Sequence, residues 1–336
     1  MRTRSSSALP WIGFIAIAVL ILDGKTTVNA ANEAIVLCIQ VLIPALFPFL
    51  VFSPLLCSGA FGIVLRPVTA LLRLSDGCES ILLTSFLGGY PAGAVAIAQS
   101  YQRGQIDRKT AERMMAFGNN PGPSFLFGIG LGLFQSAGIC WLVWGIVIAS
   151  SIVIGFFTPG NKTDFHAAEK NNPSIQDALK KAIIVMSTIC GWVILFRILI
   201  VILDRWILWL LPPWFGLILS GILELANGCT ALAGIENTGL KMTLFCAFLC
   251  FGGICVWMQT SAVARNICLK LYMPGKMAQT VLAILFCQAA QFLLPRDDRF
   301  FLPLPLLVFF GAVFVMYPLM LQKVEKRGRN FCRLGV

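Results

Sequence analysis

Leu87-Gly88-Gly89-Tyr90-Pro91-Ala92-Gly93-Ala94 interrupts an apolar run in the first half of the chain, and Leu223-Glu224-Leu225-Ala226-Asn227-Gly228 interrupts another in the second half. Lipid holds no water to satisfy peptide N–H and C=O groups, so backbone broken at membrane depth persists only inside protein or along a polar cavity. Two such breaks at corresponding places in two halves mark a solute-binding site at a repeat interface.

Composition makes a bilayer the relevant solvent. Of 336 residues, 58% are hydrophobic and 12% charged, with mean hydropathy +0.83, more apolar side chain than a soluble interior of this size can hide. The net charge of +11 sits in short loops between apolar runs, as membrane orientation requires. No basic stripe with interleaved aromatics speaks for nucleic acid, so the expected partners are the lipid bilayer and a small-molecule solute. Oligomeric state, including a homo-oligomer, is left open.

The twelve Cys are scattered mostly singly through apolar runs, and the one His, His166, lies in a polar loop. Such cysteines read as small packing residues, and neither a metal nor a cofactor is expected. There is no GxSxG, Walker loop, HExxH or usefully spaced carboxylate pair, so the chain is not read as an enzyme. Uphill transport would draw on an ion gradient, with H+ and Na+ both open.

Apolar runs cover about 9–22, 34–57, 81–98, 114–134, 138–157, 182–203, 207–232, 242–264, 278–294 and 301–321. If 81–98 and 207–232 are re-entrant hairpins and the other runs cross, twenty of the 26 Lys and Arg lie inside. Arg113 and Lys276 are among them. Five lie outside, and Arg197 is intramembrane. Full crossings at both broken runs would abolish that bias. The expected fold is therefore an all-α polytopic membrane protein with about eight transmembrane helices and two re-entrant helical hairpins in inverted repeats. The motif Glu33-Ala34-Ile35-Val36 resembles Lys181-Ala182-Ile183-Ile184, and Phe117-Gly118-Asn119-Asn120 corresponds to Phe251-Gly252-Gly253-Ile254.

The domain organisation follows from this topology. Residues 1–32 form an N-terminal transmembrane helix and outer loop, although Arg2, Arg4 and Val28-Asn29-Ala30 also fit a signal peptide. Residues 33–160 form the first repeat, 161–180 a polar cytoplasmic linker and 181–295 the second repeat. Residues 296–336 add a proline-rich helix and a basic cytoplasmic tail. The segment 66–80, with two Arg among leucines, is a candidate interfacial helix.

The candidate substrate-binding residues cluster at the breaks. Gly88, Gly89, Tyr90, Pro91 and Gly93 form the first hairpin tip, where glycines admit close approach and the following helix N-terminus suits an anionic or carbonyl-bearing solute. Asn119 and Asn120, followed by Pro121, Gly122, Pro123 and Ser124, interrupt the next run and supply amide donors and acceptors. Glu224, Asn227 and Gly228 mark the second hairpin, where an intramembrane carboxylate suggests a solute, proton or cation site. Gly252 and Gly253, with Gln259, are the second-half counterpart of the Asn pair. Arg197 is a candidate charge partner for Glu224 or an anion, or a residue snorkelling to the outer interface.

GGYPAGA, FGNNPGPSF, LELANG and FGGICVWMQ together resemble the nucleoside-recognition gate-domain superfamily, and within it the YlbJ-type sporulation integral membrane proteins, over roughly residues 33–295. The pattern departs at Ala226, Cys255 and Trp257. The resemblance implies a fold like concentrative nucleoside transporters and residence in the membrane of an endospore-forming bacterium, the membrane around the forespore included. It also implies movement of dipicolinic acid during spore formation. A nucleoside or nucleobase carrier, and a non-transporting sporulation scaffold, are the alternatives.

Overall fold

Polar side chains at the ends of apolar runs set where the helices begin. The computed structural model describes residues 8–57, 60–160, 174–264 and 266–328. The chain starts with α1 (Ala8–Leu22) and α2 (Gly24–Leu37), and α2 passes through a π turn at Cys38–Leu42 into α3 (Ile43–Cys57). The stretch expected as an outer loop before Glu33 is thus helical from Gly24 onward. Its alanines Ala30 and Ala34 are buried, which gives the polar segment a packing reason to continue the helix.

After α4 (Arg66–Leu71) come α5 (Glu79–Leu87) and α6 (Ala92–Gln102), separated by the first break. Within the expected interfacial helix only Arg66–Leu71 forms a separate helix, and Glu79 and Ser80 already belong to α5. Asp107 then caps α7 (Arg108–Phe117) by accepting from the Thr110 N–H at 2.9 Å. The Asn-Asn-Pro-Gly stretch separates α7 from α8 (Pro123–Phe134), whose first residue is a proline that needs no donor there. Ser136 caps α9 (Ala137–Phe157), and Ser174 caps the 32-residue α10 (Ile175–Trp206).

The second half repeats the pattern. α11 (Pro213–Leu223) and α12 (Leu225–Ala231) flank the second break, and Asn237 caps α13 (Thr238–Phe251). Gly252 then separates α13 from α14 (Gly253–Val263), and Gly252 and Gly253 have φ of +80° and +82°. α15 (Tyr272–Ala290) and α16 (Leu304–Gly328) complete the described chain. The expected linker and His166 fall mainly outside the described residues, as does the extreme basic tail.

Helices of the two halves pack in matching pairs. α6 packs on α14 and α8 on α12; α7 packs on α15 and α9 on α13; α3 lies along α10. The direction of α2 against α10 follows from two ion pairs. Arg197 meets Glu33 at 2.5 Å, and Arg205 meets Asp23 at 2.9 Å, so the two helices run antiparallel.

Among the described residues, five helical stretches are long and apolar enough to cross a membrane: Gly24–Phe52, Ala137–Phe157, Ile175–Trp206, Thr238–Val263 and Leu269–Leu293. Shorter apolar helices occupy Pro123–Phe134, Pro213–Leu223 and Leu304–Pro318. α10 turns Ile183, Ile184, Leu195 and Leu199 outward while burying Met186, Ile189 and Val193. A helix apolar on both faces belongs in lipid. The buried cysteines, including Cys140, Cys229, Cys246, Cys250 and Cys287, pack in the core as small apolar groups.

Candidate functional site

Both breaks close on themselves through glycine. A Cβ on Gly89, whose φ is +75°, would sit 2.7 Å from the Gly122 nitrogen, so the first hairpin tip and the Asn-Asn-Pro-Gly break touch backbone to backbone. A Cβ on Gly253 would sit 3.3 Å from the Leu223 carbonyl oxygen, which brings the second hairpin against the α13–α14 break. The halves then meet at Tyr90. Its hydroxyl donates to the Leu249 carbonyl at 3.1 Å, and its ring lies 3.2 Å from where a Gly252 Cβ would stand.

Around this junction is a small cavity of about 30 Å³, lined by Leu42, Leu46, Tyr90, Pro121, Phe125, Ile189, Val193, Glu224, Leu225, Ala226, Val256 and Gln259. Each half contributes a long flanking helix, a hairpin break and a broken helix. The π turn ends at Leu42, on the cavity wall.

Of the sequence-predicted site residues, Tyr90, Glu224 and Gln259 reach this cavity. Glu224 also caps α12. Its carboxylate accepts from the Ala226 N–H at 3.0 Å, the Asn227 N–H at 2.7 Å and the Asn227 side-chain amide at 2.7 Å. Asn227 therefore holds the carboxylate, and Gly228 fits α12 against Gly221. Gln259 donates to Cys255 Sγ at 3.3 Å.

Asn119 and Asn120 do not line the cavity; both are fully buried. Asn119 Oδ1 accepts from the Ala94 N–H at 3.3 Å, filling the α6 N-terminus that the sequence suggested as a seat for solute. Its amide nitrogen donates to Thr260 Oγ1 at 2.9 Å and to the Tyr272 hydroxyl at 3.3 Å. Asn120 donates to the Phe117 carbonyl at 2.6 Å and to Ser151 Oγ at 3.0 Å. Its oxygen accepts from Gln279 at 2.8 Å and from Lys276 at 3.2 Å. Gly88, Gly89, Pro91, Gly93, Gly122, Gly252 and Gly253 shape the breaks without lining the cavity. Ser124 begins α8 with its hydroxyl buried and without a partner in the structure.

Arg197 is corrected by the structure. It pairs with Glu33 through Nη2 at 2.5 Å and Nε at 3.2 Å, on the α2–α10 seam, and is not the partner of Glu224. Two residues counted with the cytoplasmic charges are buried. Arg113 is buried and donates to the carbonyls of Leu72, Gly155 and Thr158. Lys276 has no exposed surface. Each sits within a few residues of a loop, so counting charges by loop says nothing of their burial. Thr260, Tyr272, Lys276 and Gln279 are the functional-region residues that the sequence reading missed. Lys276 and Gln279, polar residues three apart on α15, were the available signal.

Against known proteins, the chain is 30% identical over 178 residues to the sporulation integral membrane protein YlbJ of Bacillus subtilis (strain 168). The match covers 48% of this chain and 42% of that relative, so the chain spans under half of the relative's length. No family model matches the chain, the gate-domain superfamily included, and no solved structure matches it. The helices, their apolar outer surfaces and this relationship make the chain a multi-pass integral membrane protein related to a sporulation membrane protein.

Proposed function

We propose that the protein carries a small, planar, polar solute through an alternating-access cycle between two inverted repeats. The observation that carries this reading is the matched lining of the cavity. α3, the Tyr90 break and α8 face α10, the Glu224 break and α14 across it. The antiparallel run of α2–α3 against α10, set by Glu33–Arg197 and Asp23–Arg205, is the relationship that inversion requires of the first helix of each repeat. In this reading α5–α6 and α11–α12 are hairpins entering from opposite leaflets, and the chain crosses eight times.

Dipicolinic acid is the leading solute, drawn from the motif resemblance and from the relationship to a sporulation protein. Glu224 favours a second one. A carboxylate in the cavity, with Arg197 committed to Glu33, suits a donor-bearing neutral heteroaromatic such as a nucleoside or nucleobase better than a dianion. With the halves parted to widen the cavity, its two aliphatic walls would hold the flat ring of either, and Glu224 and Gln259 would read its edge.

The deciding experiment is counterflow in proteoliposomes, preloaded with unlabelled dipicolinate or uridine and challenged with trace labelled solute. Saturable dipicolinate counterflow supports the leading reading. Uridine counterflow alone shifts the assignment to nucleosides, and neither would leave the scaffold role.

A further inference from the structure

The carrier reading does not account for Lys276. It lies on α15 with no exposed surface. Among the described residues, no carboxylate is within ion-pair distance of it. Its ammonium donates to Gln279 Oε1 at 2.9 Å and to Asn120 Oδ1 at 3.2 Å. The third direction is taken by the Tyr90 ring, whose centroid is 5.2 Å away. Two amide oxygens and an aromatic face are a neutral cradle for a cation, and every amide hydrogen in that cradle is otherwise engaged. Gln279 Nε2 serves Asn120 Oδ1 and the Val147 carbonyl; Asn120 Nδ2 serves Phe117 and Ser151.

The cradle joins both halves. Asn120 and Tyr90 belong to the first, and Gln279 and Lys276 to the second. Tyr90 also lines the cavity and holds the Leu249 carbonyl. We propose that Lys276 is the proton-coupling group of this carrier. The inference rests on the carrier reading above.

The physical logic is a balance of charge. A bare ammonium away from water is held only by partners of good geometry, and here they are neutral. When Lys276 gives its proton to water (R–NH3+ + H2O → R–NH2 + H3O+), it loses one donor and the charge that attracts the Tyr90 ring. The contacts that tie the hairpin tip to α15 weaken, and the halves can reopen.

The other ionisable groups on the surrounding elements leave this cradle to Lys276. From α13, Cys250 approaches it. From α7, Arg113 is turned to the carbonyls of Leu72, Gly155 and Thr158. From α16, the Tyr317 hydroxyl is 3.2 Å from Thr158 Oγ1. α9 presents the hydroxyls of Ser150 and Ser151, and on α15 itself Tyr272 is engaged by Asn119 and Thr260. Glu224 is bound at the α12 N-terminus.

The test uses the full chain in liposomes with dipicolinate and, separately, uridine as probes. Wild-type protein should accumulate the transported probe under an imposed pH gradient and be indifferent to a sodium gradient. Lys276→Arg keeps the charge and cannot release it, so the ratio of pH-driven accumulation to counterflow should fall at least tenfold. Accumulation that follows sodium, or an unchanged ratio in Lys276→Arg, overturns the proposal. A flux-free arm compares wild type with Lys276→Met in detergent across neutral pH. A titrating Lys276 makes the difference between their melting temperatures vary with pH, whereas a permanently charged structural lysine keeps it constant. A constant difference overturns the proposal whatever is carried. Absence of counterflow with both probes removes the carrier reading instead, and the thermal comparison still decides whether Lys276 titrates.

Discussion

The Asn119 amide nitrogen donates to Thr260 Oγ1 at 2.9 Å across 141 residues of sequence, tying the break between α7 and α8 to α14. Because Asn119 Oδ1 also receives the Ala94 N–H, one side chain fastens the first hairpin, the first broken helix and the second half.

Removing either partner should therefore cost more than one ordinary hydrogen bond. Asn119→Leu leaves the Ala94 N–H and two hydroxyls short of a buried partner, a loss of about 2–4 kcal/mol, and Thr260→Val should lose about 1–2 kcal/mol. Thermal melts of the detergent-solubilised protein check both. In a double-mutant cycle the two losses should combine to less than their sum, and strict additivity would show that the pair does not interact.

At the hairpin tip, Gly89→Ala forces a Cβ to within 2.7 Å of the Gly122 nitrogen on a left-handed backbone. It should destabilise by roughly 2–4 kcal/mol and lower membrane yield, since backbone cannot move aside as a side chain can. Gly132→Ala, in α8 with nothing near the added carbon, is the control and should be near neutral.

For Glu224, two roles separate by substitution. Glu224→Gln retains an oxygen to cap α12, so stability should fall by no more than about 1 kcal/mol, while counterflow of the transported probe should fall more than tenfold. Arg197→Gln removes a half-exposed pair with Glu33 at the α2–α10 seam, costs about 0–1 kcal/mol and should leave counterflow close to wild type. Equal loss of flux in the two variants would contradict the separation.

The proposed inversion has a topological consequence. Gln105, between α6 and α7, and Lys170, in the linker, should report the cytoplasm in reporter fusions, and Glu236, between α12 and α13, should report the opposite side. Signals from the same side for Gln105 and Glu236 would remove the inverted relationship.

Much of the helical order was legible because lipid allows so few alternatives. Apolar runs of sufficient length read as helices, and Asp107, Ser136 and Asn237 stand where caps were chemically needed. The breaks were visible for the same reason, since Gly-Gly-Tyr-Pro, Asn-Asn-Pro-Gly and Gly252-Gly253 all stand inside apolar runs. The helical start of α2 was not legible, because its polar face is matched only by α10, 140 and more residues later.

Sequence alone thus determined the solvent, the helical class and the positions where backbone leaves the helix, all of them consequences of local composition against a bilayer. Only tertiary structure decided what each polar group does there. Asn119 and Asn120 became interlocks between the halves, Glu224 became a cap on the cavity wall, and Lys276, counted only as one of the cytoplasmic-side charges, is buried. The reason is that a polar side chain at membrane depth must be satisfied by whichever partner folding brings near, and those partners lie on other helices far away in the chain.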